Sequence, residues 1–300
     1  QSQWQTFISN ELEVLRPLLE KHGYKLDQEQ PHTKGERFLM KNITTTSGEK
    51  LILMGSDSNA NRVVIKASQD VTGKQELVHG RRCRTFLEDI DFAYSVFHAP
   101  TEIAFWNESG YILSIQSYIE QHSSFLARPL PEQFKFALHA LNTQASARIT
   151  TNSHLRKVGS VFGIRKSADY LVLLEAFLTS LKRNGADVKI VHSVETVLGT
   201  LQEKQERVEQ YCGFLTHTDF VPHNFRIADG TMYLLDWSSL EFGNKHESWA
   251  RFLNFMALYN PELESLLITY VEKNKSPEER ESLQLLRLYR LCELITYYTN

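Results

Sequence analysis

The sequence predicts an α+β chain in two parts, a sheet-rich first part and a mainly helical second part. Three observations predict this. Segments rich in Ile, Val and Leu, separated by short polar turns, fill residues 38–68 and return at 102–119. From Pro131 to Tyr298 the apolar residues recur at helical spacing instead. One dense polar stretch, residues 214–243, interrupts the helices and carries a hairpin signal of its own.

In order along the chain, Leu12, Leu15, Leu18 and Leu19 mark a helix that Gly23 stops. Pro17 lies inside that pattern and predicts one broken or two short helices. FLMKNIT, EKLILMG and NRVVIKAS then read as antiparallel strands, followed by a helix over 73–88. EIAFW and YILSIQSYI form a further strand pair around Asn107-Glu108-Ser109-Gly110. Pro131 opens a helix whose apolar face is Phe134, Leu138, Leu141 and Ala145. Ser167 is expected to cap a second helix that Asn184-Gly185 ends, and a third is expected from Val194 to Tyr211. Trp249, Phe252, Leu253, Met256 and Tyr259 mark a buried helix halted at Asn260-Pro261. Ser276-Pro277-Glu278-Glu279 is a capping box that opens a final helix to about Tyr298.

Bulk properties narrow the function. A net charge of −3 over 300 residues lacks the basic excess of a nucleic-acid binder. Cys83, Cys212 and Cys292 are far apart and form no Cys-x-x-Cys pair, so neither a disulfide framework nor a zinc site is expected. No apolar run approaches the ~20 residues of a membrane-spanning helix, so no membrane partner is expected. The opening residues lack a basic segment followed by an apolar block, and the expected setting is the cytoplasm.

The polar stretch carries the chemistry. His217, Asp219, Asn224 and Asp236 lie within it, and between the last two stand FRI, Asp229-Gly230 and MYLL. Asp-Gly suits a tight hairpin turn, and a hairpin brings Asn224 and Asp236 within reach of one ion. A carboxylate with an amide oxygen suits Mg²⁺, which prefers oxygen ligands and retains waters and phosphate oxygens. Asp219, left off the metal, can accept a proton from an attacking hydroxyl. His217, Asp219 and His223 also admit a metallohydrolase cluster. That reading needs more ligands at short spacing, and the neighbours are Phe, Val, Pro and Phe.

His217-x-Asp219-x-x-Pro222-x-Asn224 followed by Leu235-Asp236-Trp237 resembles the catalytic and metal-binding segments of the aminoglycoside phosphotransferase and choline kinase family. The resemblance implies a two-lobed protein-kinase-like fold, with an antiparallel sheet lobe over 1–117 and a helical lobe over 118–300. It implies Asp219 as catalytic base, His217 as a structural residue of the catalytic loop, and Asn224 and Asp236 as Mg²⁺ ligands. Val63-Val64-Ile65-Lys66 resembles the strand lysine of kinases, which pairs with the phosphates of ATP. Glu76, with Glu88 as the alternative, is the acid expected to orient Lys66. Ser117 and Ile119 fall where the family has its hinge, whose backbone would bind adenine. Gly35, in Gln30–Arg37, is the glycine that resembles a phosphate loop.

Two positions depart from the family pattern. His223 stands where Gly is frequent, and the acid usual in the next helix falls near Ser248, beside Glu247. The expected activity is ATP- and Mg²⁺-dependent phosphorylation of a small-molecule hydroxyl: an aminoglycoside, a choline-like amine, a sugar or a nucleoside. The alternatives are a nucleotide-binding pseudokinase acting as a regulatory module, and nucleotidyl transfer on the same scaffold. Glu241, Glu247, Tyr211 and His223 are the residues considered for the acceptor, none of them decisive.

Overall fold

The structure is a computed structural model that describes residues 3–30, 50–89 and 97–299. FLMKNIT and the Gly35 loop lie outside the described residues. Two compact units divide the chain: 1–82 with 99–121, and 83–98 with 122–300.

The first unit is a five-stranded antiparallel sheet with a helix on one face. Its strands are β1 (Lys25–Leu26), β2 (Leu51–Ser56), β3 (Arg62–Ser68), β4 (Glu102–Glu108) and β5 (Tyr111–Ser117), in the order β1-β2-β3-β5-β4. Period-2 alternation fixes the register. Leu53, Val63, Ile65, Ala67, Leu113 and Ile115 point to one face and are buried with Leu15, Leu18 and Leu19 of helix α1 (Gln3–Lys21). Contrary to the sequence expectation, α1 is one helix with Pro17 inside it. Pro17 gives up the N–H bond that would close on the Glu13 carbonyl, and the leucines on either side keep the helix continuous because they share one core. At β2, Gly55 leaves room for the neighbouring strand, since a Cβ there would lie 2.5 Å from the Lys25 carbonyl oxygen.

Helix α2 (Val71–Asp89) starts at Asp70, whose Oδ1 accepts from the backbone N–H groups of Thr72 and Gly73. Lys66 of β3 alternates with the buried Ile65 and Ala67, so it projects from the face opposite α1. Its register partners are Ile52 and Ser114.

The second unit is mainly helical: α3 (Leu130–Gln144), α4 (Asn152–Gly159), α5 (Ser167–Arg183), α6 (Val188–Glu203), α7 (Gln205–Glu209), α8 (Glu247–Tyr259), α9 (Pro261–Asn274) and α10 (Pro277–Thr299). Several details correct the sequence reading. The buried face of α3 is Gln133, Ala137, Ala140, Leu141 and Gln144, so of the expected face Leu141 is buried while Phe134, Leu138 and Ala145 are half-buried. The cap of α5 is Lys166, whose N–H donates to Asp169, while the Ser167 N–H donates to Glu209. The helix expected over 194–211 begins earlier and breaks at Lys204 into α6 and α7. Tyr259 ends α8 exposed rather than buried. The Ser276 box forms as expected: the Glu279 N–H donates to Ser276 Oγ and the Ser276 N–H to Glu279.

Two short ribbons rest among these helices. Strands β6 (Phe214–His217) and β9 (Leu240–Gly243) pair antiparallel, as do β7 (Phe225–Ala228) and β8 (Thr231–Leu234). The β7–β8 turn places Asp229 and Gly230 at φ 49° and 74°, which is the tight hairpin the Asp-Gly pair predicts.

Candidate active site

Both ribbons serve one loop. Strand β6 delivers His217, Thr218 and Asp219; a single 3-10 turn (Pro222–Asn224) leads into β7; and β8 returns the chain to Asp236. The floor under this loop is aromatic. Phe220 packs on Phe225 and Phe252 at centroid distances of 4.7 and 5.8 Å, and Phe125 stands edge-on to both Phe225 and Phe252. Those rings are buried, so the polar atoms above them are held on a rigid base.

Four hydrogen bonds bring the sequence-separated polar residues together. The Leu235 N–H donates to the Asn224 carbonyl (3.0 Å), which closes the hairpin and sets Asp236 beside Asn224. The Thr218 N–H donates to the Ser239 carbonyl (2.9 Å). His217 Nε2 lies 2.6 Å from the Asp236 carbonyl oxygen, and Asn224 Nδ2 donates to Asp219 Oδ2 at 3.0 Å. The same amide nitrogen also reaches the Asp219 carbonyl at 2.9 Å.

His217 is fully buried, and burial pulls its imidazole below the ordinary histidine range against the pull of Asp236 and Asp219. The ring is therefore neutral, and because a carbonyl can only accept, Nε2 carries the proton. His217 pins the backbone of one carboxylate-bearing loop to the other. That is a structural task.

Asn224 commits its amide nitrogen to Asp219, which turns its side-chain oxygen away from that bond. Asp236 is oriented by Ser238 Oγ on Oδ1 (2.6 Å) and Ser239 Oγ on Oδ2 (3.3 Å). An amide oxygen and a carboxylate, steadied by second hydrogen bonds, are hard oxygen donors and fit Mg²⁺. The metallohydrolase cluster does not form: His217 faces a carbonyl, and His223 packs edge-on against Phe255 at 5.5 Å. Among the described residues, no group of three or more His, Cys, Asp or Glu side chains is placed to hold a metal ion.

Several residues that support the loop carried no motif. Ser248 of α8 accepts from the His217 N–H at 2.8 Å and meets the His217 carbonyl at 3.1 Å and Thr216 Oγ1 at 2.7 Å. This is the position where an acid was expected. Arg251, one turn on, donates from Nε and Nη2 to Asp219 Oδ1 at 3.1 and 2.9 Å. Arg290 of α10 donates to the Thr218 carbonyl at 2.6 Å. A lone Arg among the buried apolar residues of α8 is the one sequence signal that points to such a partner.

Behind the loop, Glu247 is wholly buried and takes Arg165 at 2.7 Å and the Tyr170 hydroxyl at 2.6 Å. Arg165 also donates to Glu241 at 2.9 Å. Arg165 favours the charged form of Glu241, yet it is shared between two carboxylates. Burial, with repulsion from Glu247, therefore prevails and raises the Glu241 carboxyl to about 7. Of the other residues considered for the acceptor, Tyr211 stacks edge-on against His246 and lies beneath the Lys245 ammonium.

In the first unit, Glu76 forms an ion pair with Lys50 at 2.9 Å, and Glu88 lies 3.9 Å from Arg84, within the second unit. Ser117 ends β5; its N–H donates to the Thr101 carbonyl and its hydroxyl accepts from the Thr101 N–H. Ile119 follows just after the strand.

No protein-family model and no curated protein matches the chain by sequence. Solved structures match by shape. An aminoglycoside phosphotransferase, a thermostable mutant of APH(4)-Ia, aligns at a TM-score of 0.67 and 14% identity, over 94% of this chain and 90% of that one. A type I macrolide 2'-phosphotransferase aligns at 0.63 and 14% identity, covering 97% and 92%. The GDP complex of aminoglycoside 2'-phosphotransferase-IIIa aligns at 0.61 and 10% identity, covering 87% and 88%. Another form of the first enzyme is a ternary complex with AMP-PNP and hygromycin B. At these identities the likeness is one of fold, and the fold is the kinase-like one of these phosphotransferases.

Proposed function

We propose that this protein is a small-molecule kinase that moves the γ-phosphoryl group of ATP to a hydroxyl, with Mg²⁺ as the required ion. The observation that carries the reading is the closed Asp219–Asn224–Leu235 linkage, which sets an amide oxygen and a carboxylate beside a second carboxylate on a phosphotransferase-like fold.

Asn224 and Asp236 would hold the Mg²⁺, which offsets phosphate charge when bound. Asp219 accepts the hydroxyl proton as the acceptor oxygen bonds to phosphorus and the bond to the bridging oxygen of ADP breaks. Its side chain is 42% exposed, so a hydroxyl can reach it. Lys66 is assigned to the ATP phosphates and the backbone at Ser117 and Ile119 to adenine; Glu76, whose carboxylate pairs with Lys50 at 2.9 Å, is assigned to the support of Lys66 once nucleotide is bound. His217 keeps the catalytic loop in shape. The acceptor is of the hydroxyl-bearing class represented by aminoglycosides, choline-like amines, sugars and nucleosides. The lobes are assigned to 1–117 and 118–300.

The test is ADP formation from MgATP across a panel of hydroxylated metabolites, aminoglycosides and macrolides, with product mass recorded. A gain of one phosphate supports the reading; a gain of a nucleotide supports nucleotidyl transfer. Replacing Asp219 by Ala should cost on the order of 10²–10⁴-fold in rate while MgATP still binds. A parent protein that binds MgATP but releases no ADP with any acceptor would remove the kinase assignment and leave the pseudokinase. An Asp219→Ala protein that turns over as fast as the parent would instead remove the role assigned to Asp219.

A further inference from the structure

We infer that Arg251 is a positioning residue for the proton-accepting carboxylate. The inference rests on the kinase reading above and goes beyond it, because no motif named this residue.

The geometry is specific. Both Arg251 nitrogens donate to the same oxygen, Asp219 Oδ1, at 3.1 and 2.9 Å, while Asn224 Nδ2 donates to Oδ2 at 3.0 Å. Two elements thus grip the carboxylate from opposite ends and fix the rotation of its plane. The Arg251 side chain is 7% exposed against 42% for Asp219, so the guanidinium sits behind the carboxylate and acts through it. Helix α8 sets the depth of this grip. Ser248, three residues earlier on the same face, bonds the His217 backbone, so one helix edge holds both the strand that delivers Asp219 and the carboxylate itself. Arg290 fixes the intervening Thr218 carbonyl. With the plane locked, Oδ2 keeps one lone pair beyond its bond to Asn224, and that lone pair is held in one orientation. Proton transfer demands that alignment, and a small misplacement of a reacting group costs rate more than binding.

The test uses the full chain, MgATP as the probe and ADP release as the readout, with thermal melts as the folding control. Arg251→Met should lower kcat by about 10- to 100-fold with the KM for ATP within about two-fold of the parent, and added guanidinium ion should restore part of the rate. A folded Arg251→Met protein with parental kcat overturns the inference. So does a loss of rate that tracks a lowered melting temperature and does not respond to guanidinium. If Arg251→Met does not fold, Arg251→Lys carries the test. One amine cannot reproduce two in-plane donors, so kcat should fall at unchanged KM, and parental kcat again overturns it. A parent protein that releases no ADP fells the kinase reading and this inference together. A parent whose turnover Asp219→Ala abolishes, while the Arg251 variants keep it, fells this inference alone.

Discussion

Ser248 shows how one hydroxyl can stand where an acid was expected. A serine hydroxyl has one proton and two acceptor lone pairs. Here the His217 N–H and the Thr216 hydroxyl supply two donors, and the His217 carbonyl takes the proton. All three capacities are used in a fully buried place. A carboxylate could receive both donors but has no proton for the carbonyl. The negative charge sits next door instead, on Glu247, where Arg165 neutralises it. Ser248→Ala should therefore strand the His217 N–H in the interior and cost about 1–3 kcal/mol of stability. Urea unfolding measures this directly, and a loss below about 0.5 kcal/mol would mean that the loop finds another partner.

At the scale of elements, two glycines separate two physical demands. Gly230 ends the β7–β8 turn at φ +74°, and nothing lies within 4 Å of the place its Cβ would occupy. Alanine there meets only backbone strain, expected at roughly 1 kcal/mol. Gly243 ends β9, and a Cβ there would lie 2.7 Å from the Tyr170 hydroxyl and 3.1 Å from Glu247 Oε2. That hydroxyl donates to Glu247 and accepts from the Asn244 N–H at 2.9 Å. Gly243→Ala must displace a satisfied buried pair, at about 1–3 kcal/mol. Thermal melts of the two variants should show the larger loss at Gly243, and the reverse order would contradict the close packing of α5 against β9. The turn was legible in the sequence because Asp-Gly is a local signal. The Gly243 constraint was not, because Tyr170 stands 74 positions from Asn244 and only tertiary packing brings them together.

That contrast holds across the molecule. Strand and helix order came from periods of two and 3.6 residues, and the loop from four polar residues with a turn between them. Arg165 with Glu247 (82 positions apart) and Arg251 with Asp219 (32 apart) carry no such period. The break at Lys204 was missed because α6 and α7 read as one charged stretch. The long-range charge network has a measurable consequence for stability and pH. Burial and Glu247 raise the folded Glu241 carboxyl to about 7 from an ordinary 4.5, and Glu293 on α10 moves the same way by burial. A carboxyl raised on folding binds its proton more tightly in the native state. Its contribution is present in full below the unfolded value and is lost as pH rises through the folded one. The buried His217 and His246 are lowered by burial and act oppositely, losing stability as pH falls below the ordinary histidine value of 6.5. The two trends overlap, so the parent curve alone does not separate them. Glu241→Gln keeps an oxygen for Arg165 but does not titrate. The stability of the parent relative to this variant should fall as pH rises from about 5 to about 7.5, read from urea midpoints at each pH. A difference that is flat or rises over that range would mean that Arg165 holds Glu241 charged throughout.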